Sequence, residues 1–294
     1  MSATTSVSSS ASSAGRTLPL TEGSMLQRLL RAAVTPGGAV FILAAILFVA
    51  VVSANPSFGE PPQLIRFIGR TAPIAIAAMG QYYVIVSGEF DLSMGAVIAT
   101  QVVIAGNYIG DDEGRVLPAI VLMLVIGALV GLVHGLGTTV LRVPSFIVTL
   151  GTMLALGGLV RFLTGGAATG NPVDTFREIG RGGIQDVPVI EVLPYPVIIL
   201  VLIMVAGVWL MRSPFGRTII ATGDNPDAAA LAGAHVWWVK TRAFMLSSLS
   251  ATVAGILLVG YAGVHPSVGA GYEFTAITAV VLGGVVLGGG RGWL

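Results

Sequence analysis

Eight apolar runs, at about 37–54, 72–87, 92–109, 116–141, 143–163, 193–211, 243–264 and 275–289, fill most of this chain after Pro36. A helix needs about 20 residues to cross a hydrocarbon core, so runs of this length with few charges predict membrane-spanning helices. The second and third runs are short and flank Ser87-Gly88-Glu89-Phe90-Asp91. One or both is expected to be broken or only partly spanning. Composition agrees: 54% of residues are hydrophobic, 10% are charged, and mean hydropathy is +0.90, far above a soluble domain. The expected fold class is all-α, a polytopic transmembrane helical bundle of about eight spans with membrane lipid around it.

The same composition excludes several functions. A net charge of +1 gives no bulk attraction to nucleic acid. The absence of cysteine removes disulfides, thiolate metal sites and cysteine nucleophiles. His134, His235 and His265 lie far apart and show no metal-ligand spacing. No HExxH pair, GxSxG elbow or clustered intramembrane acid pair occurs, so no catalytic residue is expected. The glycine-rich stretch from Gly283 to Gly292 lacks the Lys-Ser/Thr ending of a phosphate-binding loop, and the only lysine is Lys240. No nucleotide or other cofactor is therefore expected on this chain, and ATP-driven work would need another chain's ATPase.

Residues 1–35 form a Ser/Thr-rich stretch that reads as a disordered cytoplasmic tail. A secretory signal would carry its apolar run nearer the N-terminus. With the N-terminus inside, eight spans place the 212–242 loop, Arg142 and Arg291 inside. They place Asp111-Asp112-Glu113, the 165–191 loop and Glu273 outside. Basic residues favour the first set, as the positive-inside rule asks, with Arg66, Arg70, Arg115, Arg177 and Arg181 as outer exceptions. The 165–191 loop is expected to include a short helix near 174–179.

The 212–242 loop carries six charged residues and cannot span lipid. Within it, Asn225-Pro226-Asp227 followed by an alanine-rich turn and Gly233 reads as a capped helix, a surface suited to meeting a partner. Glu89 and Asp91 adjoin lipid depth, where a central charge costs at least about 2.5 kcal/mol. They fit either a cytoplasmic turn capping the next helix or a solute path or gate. Gln81, Gln101 and Asn107 are the remaining candidates for that path, although interhelical hydrogen bonding also explains such groups. His134 reads as a packing residue rather than a proton relay. Gly127, Gly131 and Gly135, and again Gly284 and Gly288, recur at four-residue spacing and are expected to line helix faces that neighbours approach closely.

Four separated stretches carry a family resemblance: SGEFDLSMGAV from Ser87, RVPSFIVTLGTMLALGGLV from Arg142, SPFGRTIIATGDNPDAAALAGAHV from Ser213 and GYEFTAITAVVLGGVVLGGGRG from Gly271. Together they resemble the permease subunits of binding-protein-dependent ABC importers, in particular the ribose- and xylose-type monosaccharide group. The resemblance implies a second permease copy, separate ATP-binding-cassette subunits and an extracytoplasmic solute-binding protein as partners. It also implies that the cytoplasmic loop docks on the ATPase through an EAAxxxG-like signature. Here Asp227, Ala228, Ala229 and Gly233 fit that signature, with Asp for Glu and with Gly223 just upstream. The family's usual length implies further spans beyond Trp293-Leu294. Related permeases for branched-chain amino acids, nucleosides or signalling sugars, and an ion-coupled secondary transporter, are the alternatives.

Overall fold

The computed structural model describes residues 36–167 and 170–291. The tail expected at 1–35 and the terminal Trp293-Leu294 lie outside them. Helix α1 covers Pro36–Ala54 and, after a 3-10 turn at Pro56–Gly59, α2 runs Pro61–Val86. An irregular stretch at 87–93 leads into α3, Met94–Ile104, which continues as a π turn at Ala105–Ile109. Then follow α4 at Val116–Thr139, α5 at Ser145–Thr164 and α6 at Asp174–Arg181. A hairpin of β1 (Gly183–Val187) and β2 (Glu191–Pro194) precedes α7 at Tyr195–Arg212. Two loop helices, α8 at Pro214–Asp224 and α9 at Pro226–Leu231, lead to α10 at Val236–Ala262, and α11 covers Tyr272–Leu282.

Seven of the eight apolar runs fall almost wholly on helices, and the eighth, 275–289, does so only as far as Leu282. The segments Glu113–Thr139, Ser145–Thr164, Tyr195–Arg212 and Val236–Ala262 are long and apolar enough to cross a membrane, and three further apolar helices are shorter. Helix α2 has 26 residues, but Arg66, Arg70 and Gln81 dilute its apolar character. The all-α expectation needs one correction, since β1 and β2 pair antiparallel with Gly183 opposite Pro194. The hairpin follows α6 in the chain and packs its second strand against α2 and α7, where a turn-rich polar stretch cannot continue a helix.

Burial shows which helix is central. The most apolar window of α10 is 72% buried, against 22% for α4 and α7 and 11% for α5. Helix α10 therefore forms the axis, packed by α2, α3, α4 and α6, while the others turn large apolar side chains such as Phe162, Trp209 and Leu154 outward. A glycine seam brings α4 against that axis. A Cβ on Gly131 would lie 2.5 Å from the Met245 Cα, and one on Gly135 would lie 2.5 Å from the Thr241 Cα. Small residues permit this approach, and in lipid the close packing itself drives association. The expected second stripe is different: α11 ends at Leu282 and Gly284 has φ +95°, so Gly284 and Gly288 line no helix face. That run turns back as a loop because its glycines favour left-handed turns over helix.

The two short helices α3 and α11 are the distinctive feature. Glu89 pairs with Lys240 near the start of α10, whereas Asp91 bonds Ser247, eleven residues into that helix and so about 16 Å along it. The 87–93 stretch thus climbs to the middle of the bundle before α3 begins. The chain after α10 makes the opposite excursion. Val264 covers Gly106, while Gly269 lies against the Gly95 carbonyl and Ile98, a return of about 12–16 Å along α3. Glu273, expected on the outer surface, is instead 7% exposed, and its carboxylate packs over Gly95. Sequence counting placed it in a loop because the preceding apolar stretch was read as ending at the surface.

At the end of the bundle opposite the 212–242 loop, most of the exceptional arginines are neutralised by nearby acids. Arg115 pairs with Asp112 at 3.0 Å, Arg181 with Asp174 at 2.8 Å, Arg177 with Asp174 at 3.4 Å, and Arg66 with Glu191 at 3.7 Å. Exposed pairs of this kind contribute about 0–1 kcal/mol each, and the three carboxylates offset most of the positive charge of these four arginines.

Candidate functional site

The loop between α7 and α10 is a built structure. Ser213 Oγ accepts from the Phe215 amide at 3.2 Å and caps α8, and Asn225 Oδ1 accepts from the Ala228 amide at 2.9 Å and caps α9. Pro214 and Pro226 occupy first-turn positions that need no amide donor, where their fixed φ favours the helix. Helix α9 is closed by Gly233 at φ +91°, whose amide donates to the Ala230 carbonyl while that of Ala234 donates to Ala229. A left-handed residue at a helix end is the ordinary place for glycine. Ala229 is buried, whereas Asp227 and Ala228 are exposed and Leu231 is 91% exposed. A bare leucine on a capped helix beside an acid makes a protruding apolar contact with a charged rim.

The inner face of this loop touches the broken spans through backbone. The position of a Cβ on Gly223 is filled by the Val86 carbonyl oxygen, and Gly290 N lies 2.6 Å from it. Gly290 N donates to the Val86 carbonyl at 3.0 Å, and a Cβ on Gly289 would lie 2.7 Å from the Gly88 Cα. Four glycines from three segments thus meet at the end of α2. Gly223 was expected in the loop, but the participation of Gly88, Gly289 and Gly290 was missed. Their spacing gives no signal, because only the folded chain brings them together.

From that junction the 87–93 stretch rises with most of its amides satisfied. Glu89 N donates to Val84 O, Phe90 N to Ser145 Oγ at 3.2 Å, Leu92 N to Thr149 Oγ1 at 3.1 Å, and Ser93 N to Asp91 Oδ1 at 2.9 Å. Irregular backbone survives at membrane depth only where protein or a cavity satisfies it. Asp91 is 1% exposed. It also accepts from Ser93 Oγ at 2.6 Å and, through its second oxygen, from Ser247 Oγ at 2.7 Å. Glu89 and Lys240, both about 15% exposed, are 2.5 Å apart. Lys240 was not anticipated as part of this site, although its being the only lysine in an apolar chain was a signal.

The other expected path residues separate. Gln101 Nε2 donates to the Met123 carbonyl and to Thr252 Oγ1, each at 3.0 Å, so it ties α3 to α4 and α10. Gln81 is fully buried in α2 with neither amide atom hydrogen-bonded. Asn107 is exposed in the π turn and joins neither. His134 is buried edge-on to Phe244, with ring centroids 5.9 Å apart. It packs as expected, but neither ring nitrogen has a hydrogen-bond partner. Among the described residues no cluster of three metal-ligating side chains occurs.

Residues 63–291 match the family model described as the permease component of branched-chain amino acid transport systems. A ribose import permease, RbsC, of Bacillus subtilis (strain 168) is 36% identical over 255 residues, covering 84% of this chain and 76% of the relative. The RbsC of Haemophilus influenzae is 33% identical over 257 residues, covering 85% and 77%. An autoinducer 2 import permease, LsrC, of Klebsiella pneumoniae is 32% identical over 258 residues, covering 86% and 72%. No solved structure matches. With a model match over most of its length and relatives above 30% identity that it largely covers, the chain belongs to the permease-component family of branched-chain amino acid transport systems.

Proposed function

We propose that this chain is the multi-pass membrane permease of an ATP-driven importer that moves a monosaccharide of the ribose class. The observation that carries the reading is the similarity to ribose import permeases over some 85% of the chain. The capped α8–α9 element supports it as the place where a separate ATPase subunit docks. In this reading there are about eight spans, the tail at 1–35 and the 212–242 loop are cytoplasmic, and a second permease copy completes the path. An extracytoplasmic binding protein delivers the solute. ATPase closure presses on Asp227, Ala228 and Leu231, and Ala229 and α8 carry the displacement to Gly223. Because Gly223 meets Val86 and Gly290 backbone to backbone, movement there reaches the 87–93 stretch without a flexible side chain between. Such a link is a coupling free energy between two sites.

The autoinducer 2 relative favours a signalling sugar as the second reading. An ion-coupled secondary transporter predicts core carboxylates, and Asp91 and Glu273 are two; hydrogen-bond donors hold Asp91 as a structural acceptor, and transport itself separates the readings for Glu273. The test is uptake of radiolabelled pentoses and hexoses into proteoliposomes, with and without ATP, the ATPase and the binding protein. ATP-dependent uptake of ribose or a close relative is expected. Uptake driven by a proton or sodium gradient alone would overturn the reading.

A further inference from the structure

Where the two broken spans meet, the bundle forms a half-open cavity of about 280 Å³ bordered by Gly95, Gly157, Arg161, Ala270, Gly271 and Glu273. Two half-length helices begin beside it: α3 at Met94 and α11 at Tyr272. The residues between Gly263 and Gly271 reach this depth as irregular backbone. The turn is set by Gly269 at φ +93° and Gly271 at φ +83°, and Val268, Ala270 and Tyr272 donate to carbonyls within it. Irregular backbone deep in a membrane protein marks a cavity or a binding site at the ends of discontinuous helices.

Glu273 supplies an independent sign. It is 93% buried by residue yet borders the cavity, and its carboxylate makes no hydrogen bond or ion pair among the described residues. Burying an unpaired carboxylate is costly, so water or a ligand must supply its donors. The geometry explains why Gly95 stands opposite, since a Cβ there would collide with the Glu273 carboxylate and with Gly269 O. On the other wall Arg161, also without an ion-pair partner among the described residues, offers a guanidinium.

We infer that this cavity is a transit site for a neutral polyhydroxylated solute, with Glu273 accepting from its hydroxyls and Arg161 donating to them. The inference deepens the sugar-importer reading and rests on it. A carboxylate is an acceptor only and a guanidinium a donor only, so a ring whose hydroxyls both give and accept satisfies both walls at once. Glu273 disfavours an anion, Arg161 disfavours a cation, and the pair together carries no net charge. The volume is that of about nine liquid waters, enough for one monosaccharide.

The chain's lack of cysteine makes the test direct. Ala270→Cys is placed in the transporter assembled with its ATPase and binding protein in proteoliposomes, and labelling by a water-soluble thiosulfonate is followed with and without excess D-ribose, xylose, arabinose, galactose or glucose. Phe162→Cys, 83% exposed and outside the cavity lining, is the control. Labelling of Ala270→Cys is expected, slowed by the sugar that is imported and unchanged at Phe162→Cys. Glu273→Gln, which keeps the shape, should raise the sugar concentration needed for protection about tenfold, the loss of one charge-assisted bond, with labelling itself retained. An unlabelled Ala270→Cys, or one labelled equally fast with every sugar while the parent imports one of them, overturns the site and leaves the importer reading standing. Absence of ATP-driven import by the parent overturns that reading instead, and protection by a sugar would then still establish the cavity as a sugar site.

Discussion

Removing the charge of Lys240 tests whether the Glu89 pair holds the broken span to α10. Two unit charges 4 Å apart attract by about 4 kcal/mol at an effective dielectric of about 20, and by about 1 kcal/mol in bulk water. With side-chain exposures of 14% and 15% and a 2.5 Å separation, the pair lies nearer the first limit. Lys240→Met leaves Glu89 with a buried charge and no partner, and Glu89→Gln does the reverse. Breaking a fully buried pair costs about 3–5 kcal/mol, which the remaining solvent access lowers here to about 2–4. The double variant orphans neither charge and should lose no more than about 1–2 kcal/mol, for a coupling energy of about 4–5 kcal/mol in the double-mutant cycle. Denaturant unfolding in detergent reads this directly, because Trp237 and Trp238 lie on the first turn of α10 beside Lys240. Single variants within about 0.5 kcal/mol of the parent, or a double variant equal to the sum of the singles, would refute a stabilising pair.

Gly131→Val should cost about 2–3 kcal/mol or abolish folding, since its Cβ meets backbone 2.5 Å away and overpacking of this kind cannot relax cheaply. Gly151→Val, with open space around it, should leave thermal stability in detergent nearly unchanged. Ser247→Ala removes one donor from Asp91 and should cost about 1.5–3 kcal/mol, measured by denaturant midpoint; a loss below 0.5 kcal/mol would show that water replaces it. Leu231→Asp and Asp227→Ala, both on the exposed tip, should lower ATP-driven uptake at least several-fold with membrane insertion and stability retained, read by transport beside thermal denaturation. Gly233→Val adds a left-handed strain of about 1–2 kcal/mol and should uncouple ATP hydrolysis from uptake, whereas unchanged uptake would mark the loop as a plain connector.

Much of the site was legible because its signals are local. The caps depend on residues two or three apart, so Asn225 and Gly233 announce α9 in the sequence, whereas α8 and its Ser213 cap were not read there although the signal is as local. The broken second and third runs likewise show as Gly88, Glu89 and Asp91 interrupting apolar residues, and the break does fall at that stretch, although α2 itself continues unbroken to Val86. The break before α11 is harder to read. Val264, Val268 and Ala270 are apolar, and hydropathy cannot distinguish a chain turning at the surface from one descending beside α3.

By itself the sequence determined that this chain is helical and lives in lipid, which stretches form its helices, and where a capped loop stands out from them. Those properties follow from transfer free energies and hydrogen bonds between near neighbours, which a linear chain already specifies. Only the tertiary structure decided that Glu89 meets Lys240, that Asp91 meets Ser247, that four glycines close the junction beneath the loop, and that Glu273 turns inward over Gly95. Each is a contact between segments far apart in the chain, set by which helix faces pack without a Cβ between them and by where an unpaired polar group can find a donor.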